Sequence, residues 1–266
     1  MLFRSRGGMV VGRAGHLHPA LYFKGLLDLV TRAKTVMAAR TPVLSLNPRG
    51  GSIDVVTSRG MIKTHDVIVA TNGYTGDATP EFKRRVVPIG SYIIATEELS
   101  EDLAKALSPR NRSIADTQRL LSYYRLSPDG RRMIFGGRAK FSPTDPKEAA
   151  PVLYQMMTDR FPQLRGTRIT HAWTGHVAFT IDELPHMGKF ENIHYALGCN
   201  GSGVAMMSYL GHQIARKVIG RANRVCAFDR EHFPTHPLYR GTPWFLPYIG
   251  GYFRIKDWFD RRKDQP

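Results

Sequence analysis

The segment "IHYALGCNGSGVAMMSYLGHQIARKVIG", residues 193–220, sets a short apolar run against glycines at 198, 201 and 203 and then a helical pattern. A strand-to-helix turn so rich in glycine leaves the first backbone N–H groups of the helix available to a ligand. Its spacing is not the GxGxxG fingerprint of dinucleotide binding, so the rest of the chain must decide what such a turn would hold. A second turn of related kind follows "DVIVAT", residues 66–71, whose unbroken β-branched run predicts a strand buried on both faces as in a parallel sheet. It ends in "NGYTG", at the carboxyl end where open α/β sheets place their ligands.

Between and around these turns the pattern changes. Apolar residues from His18 to Met37 recur at helical spacing, with Pro19 in a first turn, and predict a helix with one buried face. "PVLSL", "IDVVTS" and "MIKTH" read as an antiparallel meander. From residue 86 the chain turns mainly antiparallel: "RLLSYYRL" and "RRMIFGGRA" flank the turn "SPDG" as a hairpin. Ser100 is placed as the N-cap of a short helix, and Asp145, followed by Pro146, as that of a longer one. This antiparallel region, about 86–170, is inserted between two pieces of an α/β layer.

Composition narrows the function classes. With 266 residues and 42% hydrophobic content the chain can bury a substantial core. The formal charge of +16 is dispersed, its longest basic runs being "FKRR" and "RRK", so no nucleic-acid partner is expected. Cys199 and Cys226 form no CxxC pair or zinc spacing, which fits a reduced compartment. No apolar run approaches the ~20 residues of a spanning helix and no signal peptide is evident, so a cytoplasmic location without a transmembrane segment is expected. His16 with His18, and His232 with His236, lack a completing ligand, and no metal site is expected. The local GxSxG pattern of a serine hydrolase fails because position 200 is Asn.

In order and spacing, "HLHPALYFKGL", "DVIVATNGYT", "FPQLRGTRITHAWTGHVAFTIDELPHMG", "GCNGSGV" and the tail "HPLYRGTPWFLPYIGGYFRIKDWFD" resemble FAD-dependent oxidoreductases of the D-amino-acid oxidase and glycine oxidase superfamily. The likeness is strongest to the branch acting on amines such as gamma-glutamylputrescine. It implies an α/β (α+β overall) fold: a partial FAD-binding Rossmann-like domain at 1–85 and 171–235, an antiparallel substrate domain at 86–170, and a tail at 236–266 packed on the body. Members of the superfamily begin with a strand, a GxGxxG turn and a helix. No such unit stands in this sequence, and the expectation is that it corresponds to roughly the C-terminal two-thirds of a longer enzyme.

The resemblance also implies roles. Gly201, Ser202, Gly203 and Val204 approach the pyrimidine edge of the flavin, glycine being required at 201 and 203 by close approach or by positive φ. Thr71, Asn72 and Gly73 touch the cofactor at the end of the buried strand, and Trp173 and Gly175 belong to the flavin-side segment. Residues 171–188 contain no cysteine, so FAD is expected to be held noncovalently. Asp182 and Pro185 shape the turn into the next strand. Tyr92, Tyr123, Arg138 and His176 are the candidate substrate-binding residues, for a small amine or amino acid. "RRMIFGGR" carries no lysine of the kind many oxidases of this family keep beside the flavin, which leaves the electron acceptor open. The expected reaction is oxidation of a C–N bond by hydride transfer to flavin. Two other readings stay open on the residues: a relative unable to hold FAD alone, and a basic noncatalytic binding protein.

Overall fold

The computed structural model describes residues 7–118, 121–137, 144–221, 226–230 and 232–263. The chain divides into two compact units. The first takes in Met1–Leu26, Gly90–Gly175 and Phe245–Pro266, and the second Leu27–Ile89 and His176–Trp244. Helix α1 spans Pro19–Arg32 and stops short of the expected Met37. Its end is a left-handed cap: Lys34 has φ 56°, the Thr35 N–H donates to the Val30 carbonyl, and the Lys34 N–H donates to that of Thr31. None of the α1 residues is buried, so the predicted apolar face exists but is exposed.

The second unit opens with the expected meander, β1 (Val43–Arg49), β2 (Ser52–Thr57) and β3 (Gly60–Thr64), all antiparallel. Its other sheet contains β4 (Val67–Val69), β10 (His186–Phe190) and β11 (Ile193–Leu197) in the order β10-β11-β4. β4 runs parallel to β11, with Val67 opposite Ile193 and Val69 opposite Tyr195. All of β11 is buried, as a strand flanked on both sides should be. β4 departs from expectation: Val69 is buried, but Ile68, which faces the other way, is 45% exposed, so only one face of this strand is covered. Helix α5 (Gly203–Val218) buries Leu210 and Ile214 against Met187 of β10 and Ala196 of β11. Short α2 (Pro80–Lys83) places Phe82 beside Tyr195.

The first unit is built on a five-stranded sheet. Its strands are β5 (Val87–Thr96), β6 (Ile114–Ala115), β7 (Ser122–Leu126), β8 (Met133–Gly137) and β9 (Ile169–Phe179), in the order β6-β7-β8-β5-β9. The β7–β8 hairpin closes at Ser127–Gly130 with Gly130 at φ 74°, and the Asp129 carboxylate accepts the Arg131 N–H. Helix α3 (Glu101–Leu107) is capped by Ser100, whose hydroxyl accepts the Leu103 N–H. Helix α4 (Pro146–Arg160) is capped by Asp145, which accepts the Lys147 N–H at 2.7 Å. α4 lays Leu153 and Met157 on Tyr92, Ile94, Met133 and Phe135, and these form the core of this unit. In the tail, Tyr239 is buried with its hydroxyl donating to the Val86 carbonyl at 2.7 Å, and in α6 (Leu246–Lys263) Leu246 is buried while Tyr248, Tyr252 and Ile255 are exposed.

The turn into β10 is organised as expected around Asp182. Its carboxylate accepts the Leu184 N–H and faces Nε2 of the buried His186 at 3.0 Å, while the Thr180 hydroxyl donates to the Leu184 carbonyl. Burial raises the Asp182 carboxyl, but the hydrogen bonds from His186 and the Leu184 N–H outweigh it and hold the group below its ordinary value of 3.8. A carboxylate depressed on folding contributes stability that is present above its unfolded pKa and lost as pH falls through its folded pKa. Asp182→Asn is therefore expected to lower stability at about pH 7 and to flatten its decline below about pH 4. Urea midpoints on either side of that window check this. An acid limb as steep as the parent's would show that Asp182 does not carry it.

Candidate functional site

The carboxyl ends of β4 and β11 are tied together by a side chain. After β4 the chain makes a single 3₁₀ turn, Asn72–Tyr74, and Asn72 takes the left-handed conformation at φ 47°. Asparagine is among the few residues that enter this region readily. From there its Oδ1 accepts the N–H of Gly198 at 3.0 Å and that of Cys199 at 3.4 Å. Asn200, also left-handed at φ 45°, secures the other side of the turn. Its N–H donates to the Ala178 carbonyl, its Oδ1 accepts the Thr180 N–H, and its Nδ2 donates to the Gly198 carbonyl. The ends of β4, β9 and β11 thus meet in one hydrogen-bonded knot.

Immediately beyond it lies the start of α5. Ser202 is the N-cap, yet its hydroxyl makes no capping bond, and the first turn carries no acidic residue. Ser202 and Val204 are exposed. The mouth of the helix therefore offers backbone donors and partial positive charge without a side chain of its own to satisfy them. Gly201 sits at φ 92°, where glycine is conformationally required. Gly203 does not: its φ is not in that region, and a Cβ there would meet only Cys199, at 3.8 Å. Glycine at 203 is therefore required neither by backbone conformation nor by lack of room.

Gly73 and His176 are also brought together. A Cβ on Gly73 would lie 2.7 Å from the His176 carbonyl oxygen, so the two backbones touch. Tyr74 stacks on the His176 ring at 5.0 Å, and its hydroxyl accepts the His176 N–H. Tyr74 is 67% exposed, leaving the far face of its ring open. Thr71 points elsewhere, its hydroxyl bonding that of Thr75 at 2.8 Å. Asn72, expected to touch a cofactor, uses its Oδ1 on the β11 turn.

The remaining candidates lie in the first unit. Trp173 is 41% exposed on β9, and Gly175 on the same strand is half-buried. Tyr92 is a core residue, 1% exposed, with its hydroxyl accepting the Thr144 N–H, so it has no surface to offer a substrate. The sequence shows that β5 has two faces, but not that α4 covers the one bearing Tyr92. Tyr123 is half-buried, its hydroxyl paired with that of Ser91 at 2.5 Å. Its ring lies across Gly136, where any Cβ would overlap it. Arg138 lies outside the described residues. Among the described residues no three His, Cys, Asp or Glu side chains gather as a metal site. Nor is any helix there long and apolar enough to cross a membrane.

Sequence reasoning passed over Tyr74 and Asn200. The signal for Asn200 was present, since it is the non-glycine residue most tolerant of positive φ in a run, "GCNGSG", that must turn sharply. Tyr74 carried no comparable signal, because its stacking partner is 102 positions away.

The chain as a whole is similar to known proteins. The chain is 32% identical over 259 residues to gamma-glutamylputrescine oxidoreductase of Escherichia coli (strain K12), covering 96% of this chain and 60% of that protein. It is also 32% identical over 235 residues to the probable oxidoreductase OrdL of Haemophilus influenzae, covering 86% of this chain and 53% of that one. The chain thus spans 53–60% of the length of these two relatives. Among solved structures, iminodiacetate oxidase (IdaA) from Chelativorans sp. BNC1 superposes with a TM-score of 0.63 at 17% identity, over 81% of this chain and 58% of that one. L-proline dehydrogenase from P. horikoshii does so at 0.60 and 20%, over 74% and 55%. These likenesses establish the fold: a mixed α/β chain of the FAD-dependent oxidase type with an inserted antiparallel sheet. Residues 2–217 match the DAO family, described as FAD dependent oxidoreductase, and the chain belongs to that family.

Proposed function

We propose that this chain acts in an FAD-dependent oxidoreductase that oxidises the C–N bond of an amine or amino acid. The observation that carries the reading is the open, uncapped mouth of α5 held beside the end of β4 by Asn72. The donor set there fits a flavin: backbone N–H groups, the positive end of a helix dipole, no competing carboxylate and no side chain at 201 or 203. When bound, noncovalently, FAD supplies the acceptor for a hydride from the substrate carbon, leaving an imine that water hydrolyses.

The chain's own groups do the rest. Amides at the mouth, from Gly203 and Val204, would hold the electron-rich edge of the flavin, where fixed dipoles of this kind would stabilise negative charge. Gly201 supplies the left-handed turn that aims them. Tyr74 on His176 provides a planar aromatic platform; Tyr123 is kept as a candidate substrate-binding residue and Trp173 as a candidate cofactor-binding one. Because a neutral amine need only be oriented with its α-hydrogen toward the acceptor, no acid–base pair is required of the protein.

The test is direct. Purified protein is titrated with FAD by fluorescence quenching and then mixed anaerobically with gamma-glutamylputrescine, glycine, proline and iminodiacetate, with flavin absorbance followed. Saturable quenching and bleaching by at least one amine are expected. Absence of quenching would remove the reading for this chain, and quenching without bleaching would leave only cofactor binding. Repeating the mixing in air, and with an artificial acceptor, identifies the electron acceptor class.

A further inference from the structure

Both asparagines of the turn spend their side chains on backbone groups 20 or more residues distant or on the turn itself, and both hold a left-handed backbone. We propose that Asn72 and Asn200 are positioning residues: together they set the direction of the α5 mouth amides and so the affinity for flavin. This rests on the proposed function above. The reasoning is geometric. β4 and β11 are joined by parallel ladder bonds that end at Val69 and Tyr195, short of the turn. Beyond that point Asn72 Oδ1 is the acceptor for the two amides, Gly198 and Cys199, that lead into it.

From Cys199 the hydrogen bonds step directly to the helix. The Cys199 carbonyl accepts the Ser202 N–H, and the Ser202 carbonyl accepts the Met206 N–H. Asn200 fixes the same turn from the β9 side through Thr180 and Ala178. A shift at either asparagine is therefore carried through Cys199 and Ser202 into the first turn of α5. Glutamine, one methylene longer, would not place its amide at the same point, whereas aspartate keeps an acceptor oxygen there and also tolerates the left-handed backbone.

The experiment compares the full chain with Asn72→Ala, Asn72→Asp and Asn200→Ala, by amide hydrogen exchange without flavin and by FAD titration. In Asn72→Ala, exchange is expected to accelerate at Gly198, Cys199 and Met206 while the Ser127–Arg132 hairpin stays as in the parent. FAD affinity should fall by about tenfold, the size of one or two lost hydrogen bonds. Asn200→Ala should accelerate exchange at Thr180, whose N–H loses its acceptor, and at Met206, and lower FAD affinity by a similar factor. Asn72→Asp should restore the exchange pattern and most of the affinity. If either alanine variant binds FAD as the parent does, or if Asn72→Asp behaves like Asn72→Ala, the positioning role is overturned. If the parent itself binds no FAD, the proposed function fails instead. The clamp is then judged on exchange alone: acceleration confined to 198–206 in Asn72→Ala and reversed by Asn72→Asp, with Thr180 added in Asn200→Ala, sustains it, and any other pattern ends it.

Discussion

Gly203→Glu is expected to abolish most flavin binding without weakening the fold. Gly203 is the first residue of α5, its backbone is not in the glycine-only region, and a Cβ there meets Cys199 at an ordinary 3.8 Å. A carboxylate in a first helical turn interacts favourably with the helix dipole, by about 0.3–1 kcal/mol. The melting temperature should therefore hold or rise. The same carboxylate occupies the uncapped amides and places a full negative charge where the electron-rich edge of the flavin would rest. An affinity loss of about a hundredfold, near 2.7 kcal/mol, is the expected result. FAD titration beside a thermal melt checks both halves. A variant that binds FAD as tightly as the parent would show that the α5 mouth is not the flavin site.

The second large effect is on stability. Gly198→Ala should cost about 2–5 kcal/mol, from two causes that add at one atom. Gly198 has φ 85°, and its Cβ would lie 2.4 Å from Thr180 Cγ2. The left-handed backbone costs a residue with a Cβ about 1–2 kcal/mol, and forcing a methyl into filled space costs roughly 1–3 kcal/mol more. Thr180 has little freedom to yield, because its hydroxyl is committed to the Leu184 carbonyl and its N–H to Asn200. Urea unfolding should show a lower midpoint with an unchanged slope. A loss below about 1 kcal/mol would mean that the knot is looser than its hydrogen bonds indicate.

The contrast between these two glycines shows what a sequence conveys about such a turn. "GCNGSGV" declares a sharp connection into a helix, but not which glycine is there for its φ and which for lack of room. Gly198 answers to both and Gly201 to the first, whereas neither φ nor lack of room requires glycine at 203. The candidate site was legible in the same partial way. Residues 71–73 and 201–204 were selected as two turns at strand ends, and the structure brings the two turns together through Asn72. It also showed that this asparagine ties the two turns together, and it withdrew Tyr92 into the core.

What residue order alone determined is whatever depends on neighbours a few positions apart. The Ser127–Gly130 hairpin, the Ser100 and Asp145 caps, the β1–β3 meander and the start of α5 follow from local turn chemistry and from periods of 2 and 3.6 residues. What only the tertiary structure decided is which face of each element is covered and which distant groups meet. Periodicity marked an apolar stripe on α1, but its burial depends on what packs there, and none of it is buried. The bond from Gly198 to Asn72 joins positions 126 apart, and the Tyr74–His176 contact joins positions 102 apart. Pairings at such separation are chosen by the packing of whole sheets, to which no short stretch of sequence has access.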